Sequence, residues 1–77
     1  QTLKLSEAPL NKPLKVIAVK DSTSNYLRYL DKVGISIGVH LRVTDRIEYD
    51  GSVEVEIEGS TLKIISQAVS ENLLLTE

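Results

Sequence analysis

Cysteine, methionine, tryptophan and phenylalanine are all absent from these 77 residues. Without cysteine the chain has no disulfide framework and no thiolate metal site, so nothing covalent supplements its core. Three tyrosines are the whole aromatic complement, too thin for a platform that stacks single-stranded nucleic acid or for the aromatic channel that grips Pro-rich peptides. The one histidine, His40, alternates with Val39 and Leu41 and is expected on an outer strand face without a catalytic partner. No HxxxH or CxxC spacing occurs, and no Gly-rich loop follows a strand, so no enzyme is expected. An excess of basic charge is missing too: nine Lys and Arg stand against eleven Asp and Glu, for a net charge of −2, which gives no general attraction for phosphate backbones. No apolar run approaches the ~20 residues of a bilayer span, and the start does not resemble a signal peptide. The chain reads as a soluble, cytoplasmic domain with no membrane insertion. Because Met is absent, Gln1 is not an initiator, and the sequence is either trimmed or a piece of something longer.

What is present is mostly Leu, Ile and Val, within a hydrophobic content of 42%. That composition favours β structure, and the length allows one domain close to the lower limit for a self-sufficient core. Residues 1–13 carry both prolines and read as an irregular lead-in. "LKVIAVK", Leu14 to Lys20, reads as the first barrel strand, with Val16, Ala18 and Lys20 on one face and Ile17 and Val19 on the other. The period then changes. Leu27 and Leu30, flanked by Tyr26 and Val33, suit one face of a short helix; Ser22 or Ser24 would cap its start and Gly34 its end. Beyond it, "GISIG" places Ile35 and Ile37 toward the core, and Gly38 lets the chain turn again.

Two hairpins follow. A three-residue loop, Tyr49-Asp50-Gly51, pairs Ile47 with Val53 and Val43 with Ile57, setting Arg46 across from Glu54 and Arg42 across from Glu58. A type II′ turn at Gly59-Ser60 sets Ile57 opposite Leu62, Val55 opposite Ile64 and Glu56 opposite Lys63. "SQAVSEN" is a turn or a single helical turn, and "LLLTE" a closing strand. The expected architecture is mainly β: a small SH3-like barrel of about five strands, residues 14–77, with one short helix between the first two, and no exposed edges.

Chemistry concentrates in one stretch, "KDSTSN", Lys20 to Asn25, where a carboxylate, hydroxyls and an amide lie between strand and helix. Such oxygen donors suit hard or borderline cations when a neighbouring domain adds ligands, and the same residue types serve a helix-capping turn. Tyr26 and Tyr29 are candidates for a contact patch. Arg46 and Glu54 on the acidic hairpin are candidates for a face that meets a basic neighbour.

The succession "LKLSEAP", "LKVIAV", "YLRYLDKVGISIG", "VHLRV", "VEVEIEG", "LKIISQAVSENLLL" resembles the small SH3-like domain shared by ferrous-iron transport protein A and the C-terminal domain of the diphtheria-toxin-repressor family of metal-dependent regulators. The likeness runs from about Leu3 to Leu75. "YLRYLDKVGI" is more similar to the regulators' helix, with Leu-Asp before the Gly-Ile pair, and the missing Met suits a domain excised from the C-terminus of a longer chain.

The resemblance implies a regulatory domain of an iron- or manganese-dependent repressor. Its partners would be the other domains of its own chain and its homodimer partner, with DNA reached only through an N-terminal domain. Fe²⁺ or Mn²⁺ would be the parent protein's cofactor. In some members of the family this domain adds a carboxylate and an amide, three residues apart, to an ancillary metal site. Asn25 would supply the amide, but Ser22 stands where the acid belongs and Asp21 lies one position away. The resemblance also implies an alternative, a free-standing accessory that docks on a ferrous-iron permease.

Overall fold

Leu14 and Val16 are buried and Lys15 between them is exposed, so strand β2 (Pro13–Val19) begins with the alternation expected of a half-buried strand. The computed structural model, which describes residues 2–77, pairs β2 antiparallel with strand β3 (His40–Ile47) on one side and with β6 (Leu73–Thr76) on the other. A bulge falls between Val16 and Ala18 in the β2–β6 ladder. One extra residue reverses the facing of everything beyond it, so Val19, and not Ala18, packs against the core.

Helix α1 (Ser24–Val33) starts at Thr23, whose hydroxyl accepts from the Tyr26 N–H at 3.4 Å. Neither Ser22 nor Ser24 is the cap. Asp21 holds Thr23 in place, its carboxylate accepting from the Thr23 N–H at 2.9 Å. Tyr26 and Leu30 are buried, with Tyr29 and Val33 packed against the same core. Leu27 sits about 100° round the helix from Tyr26 and is left outside this stripe.

Gly34 ends the helix at φ 87°, its N–H shared between the Leu30 and Asp31 carbonyls, while the Ile35 N–H bonds to Leu30 O at 2.9 Å. This closure folds Ile35 back over Leu30, and Ile35 is 2% exposed. Ile37, expected in the core, is instead 64% exposed. The reason lies in the next turn. Gly38 N–H bonds to Val16 O at 2.8 Å and Val16 N–H to Val39 O at 2.9 Å, so the corner is stitched to β2 and Val39 takes the inward place.

Strands β3, β4 (Ser52–Ile57) and β5 (Thr61–Ile65) form the two hairpins. Their registers differ from the sequence expectation. Leu41 pairs with Ile57, Arg42 with Glu56 and Val43 with Val55; after a bulge between Val43 and Asp45, Arg46 faces Val53 and Ile47 faces Ser52. The bulge offsets the ladder by one position, and the loop holds four residues, 48–51, where three were expected. In the second hairpin Ile57 pairs with Thr61, Glu56 with Leu62, Val55 with Lys63 and Glu54 with Ile64. The turn has three residues, because Glu58 (φ 54°) is left-handed as well as Gly59.

The lead-in has structure of its own. Strand β1 (Leu3–Lys4) pairs with β6, a 3₁₀ turn covers Leu5–Glu7, and Leu5 and Ala8 are fully buried. Arg46 secures it, donating from Nη2 to the Ser6 and Ala8 carbonyls at 3.1 and 2.7 Å. The short helix α2 (Gln67–Ser70), capped by Ser66, then leads into β6.

The result is mainly β, as expected, with six strands among the described residues in the order β1-β6-β2-β3-β4-β5. Extents of 29 × 27 × 25 Å show a sheet bent round a single core, consistent with an SH3-like fold. Its ends do not join, so β1 and β5 remain edges.

Candidate functional site

Two aliphatic side chains that the core leaves out, Leu27 and Ile37, stand on either side of a groove of about 230 Å³ between α1, the Gly34–Gly38 corner and β2. Its floor is Val16, Val19, Leu30 and Ile35, and its polar rim is Asp31 and Ser36. The local sequence explains the shape. The Gly34 closure brings Ile35 under the helix while the backbone bonds to Val16 hold the corner fixed, which leaves Ile37 projecting. A fixed apolar groove with exposed aliphatic walls can bury a partner's apolar side chain without first reorganising.

The residues singled out from sequence are scattered. Asp21 is engaged in the capping turn and Asn25 lies exposed on the first helical turn. Tyr26 belongs to the interior: it is 7% exposed, and its hydroxyl donates to Val69 O at 3.0 Å, tying α1 to α2. Burial, reinforced by the Asp21 carboxylate, pushes its pKa up to about 12. Tyr29 is half-buried against the core. Arg46 and Glu54 do not pair. Arg46 serves the lead-in, and Glu54 accepts from the Thr44 hydroxyl at 2.8 Å. Arg42 pairs with Glu56, not Glu58, at 2.6 Å. Glu58 turns back to accept from the His40 N–H at 2.9 Å, and His40 is exposed, on the outer face.

Among the described residues no three His, Cys, Asp or Glu side chains converge to hold a metal ion. Asp21 and Asn25 would offer two donors at most, one of them already hydrogen-bonded, and so do not by themselves make a metal centre. Leu27, expected on the core face from its three-residue spacing to Leu30, and Ile37, expected to point into the core from between Gly34 and Gly38, both lie outside it. The signal for Leu27 was its offset from the Tyr26, Tyr29, Leu30 and Val33 stripe; for Ile37 the sequence held none.

A family model described as "FeoA domain" matches residues 3–77. Among solved structures, a manganese-dependent transcriptional repressor superposes with a TM-score of 0.89 at 22% identity, covering 99% of this chain and 41% of that one. An iron uptake regulatory protein (FeoA) superposes at 0.87 with 16% identity, covering 99% and 97%. The FeoA protein from Chlorobium tepidum gives 0.78 and 23%, covering 96% and 69%. Comparison with curated proteins found no match. The chain thus spans about two fifths of the repressor's length and nearly all of the iron uptake protein's. At these identities the structures show a shared fold.

Proposed function

The chain belongs to the FeoA-domain family, and from that premise we propose that it is the regulatory interaction domain of an iron- or manganese-dependent, DNA-binding transcriptional repressor. The family and its repressor relatives are non-enzymatic regulatory or accessory domains, and this chain is not an enzyme. The carrying observation is the groove walled by Leu27 and Ile37, a preformed apolar contact surface. On this reading the groove seats an apolar side chain from another domain of the same chain or of its homodimer partner. Docking that is stronger in one state of the dimer shifts the population toward that state, which is how a domain with no DNA contact of its own governs DNA binding. Fe²⁺ or Mn²⁺ would be held by the parent's other domains, in the cytoplasm, and Asp21 and Asn25 would contribute at most as additions to ligands supplied by a neighbour.

A second reading has its own support. The same fold accounts for 97% of the iron uptake protein's length, which favours a free-standing accessory that docks on a ferrous-iron permease. An antibody against this domain separates the two on an immunoblot of the source cells. The repressor reading expects a polypeptide about two and a half times as long as this chain; a band at 8.5 kDa would overturn it in favour of the accessory. In the longer protein, Ile37→Asp should shift the metal concentration at half-maximal operator binding while leaving the fold intact.

A further inference from the structure

Strand β5 ends the sheet order, and among the described residues β4 is its one strand neighbour. Every second residue of such an edge turns its N–H and C=O toward solvent, where another strand can pair. Unlike the short opposite edge β1, β5 also carries two large exposed aliphatics, Leu62 at 57% and Ile64 at 51%. Both share the outer face with Glu56 and Glu54, their cross-strand partners, and Lys63 between them lies on the other face, opposite Val55, yet is exposed.

We propose that the β5 edge is a docking site for an extended peptide segment of alternating apolar and acidic residues, added as a further strand. The alternation follows from the edge itself. A strand paired with β5 places successive side chains on opposite faces. Those beside Leu62 and Ile64 meet aliphatic surface on the outer face, and the one beside Lys63 meets an ammonium. An apolar-acid-apolar triplet satisfies all three positions.

A second copy of this chain fits worse. The one symmetric antiparallel register that pairs all five residues of Thr61–Ile65 is centred on Lys63 and sets two ammonium groups directly opposite each other, and like charges so placed are destabilising. Lys63 therefore acts against self-pairing and in favour of an acidic partner. The surface is separate from the groove at α1, so the proposal stands apart from the repressor reading.

The test is a titration of the ¹⁵N-labelled 77-residue chain with two synthetic hexapeptides, one alternating Val and Glu, the other Val and Lys, followed by backbone amide shifts. The expected result is saturable shifts confined to Thr61–Ile65 and its β4 neighbours with the Val/Glu peptide, and affinity for the Val/Lys peptide roughly fivefold weaker, the ratio that about 1 kcal/mol of cross-strand charge pairing produces. Lys63→Glu, at an exposed position, should keep the melting curve and reverse the preference. Equal affinity for both peptides, no shift in the β5 amides, or a preference unchanged by Lys63→Glu would overturn the proposal. So would concentration-dependent self-association through the same amides, detected by sedimentation, which would make the occupant a second copy.

Discussion

Tyr26 shows how much one side chain can carry in a domain this small. Its ring lies in the core and its hydroxyl bridges from α1 to Val69 O, so Tyr26→Phe should cost about 1 kcal/mol in urea unfolding by loss of that bond. The pH dependence follows from the raised pKa. The folded state keeps the phenolic proton to about pH 12, whereas the unfolded chain releases it near pH 10. Between those values the unfolded state binds fewer protons, so stability falls as pH rises. The contribution is complete below pH 10 and disappears as the pH passes through about 12. Unfolding curves at intervals across this window should decline for the parent and be flatter for Tyr26→Phe. Equal slopes would mean that the tyrosine does not set the alkaline limit.

The helix-to-strand corner and the lead-in are the elements on which the fold depends most visibly. Around Gly34 an added methyl group would meet nothing within 4 Å, so Gly34→Ala tests backbone conformation without a clash. It should cost ~1–2 kcal/mol, the penalty of a left-handed residue with a Cβ, and accelerate amide exchange over the last turn of α1. At the other end of the chain, two hydrogen bonds from Arg46 hold the 3₁₀ turn against the sheet. Arg46→Ala should cost ~1.5–3 kcal/mol, typical for bonds from a charged donor, with hydrogen exchange fastest in Leu3–Ala8. If exchange rises evenly over the whole domain, the lead-in is not a separable unit.

At the scale of the whole molecule, the fold divides its aliphatic residues between the core and the surface. Leu5, Leu14, Val16, Ile65, Leu73 and Leu75 are at most 1% exposed, whereas Leu27, Ile37, Leu62 and Ile64 are roughly half exposed or more. Removing a solvent-facing aliphatic leaves no cavity, so Leu27→Asp with Ile37→Asp should change unfolding free energy by no more than ~0.5 kcal/mol per site. On the repressor reading, the same pair of changes should weaken docking on the other domains of the longer protein, measurable as faster domain separation under limited proteolysis. A large loss of stability would place these residues in the core and remove the groove as a contact surface.

Sequence alone determined the fold class, the helix between two strands, the Gly34 stop, the two hairpins and the terminal strand, because these follow from local backbone preference and from the period of the apolar residues. His40 on an outer face was legible for the same reason. Tertiary structure decided the facing and the register. Bulges at Ile17 and Thr44, and a second left-handed residue at Glu58, each displace a ladder by one position, and a one-residue slip exchanges neighbours without altering the local pattern. The lead-in needed β6 and Arg46 to acquire structure, partners that lie far away in sequence. The groove and the open β5 edge were equally out of reach: Ile37 and Ile65 are the same residue type, and only the packing of distant segments leaves one in solvent and buries the other.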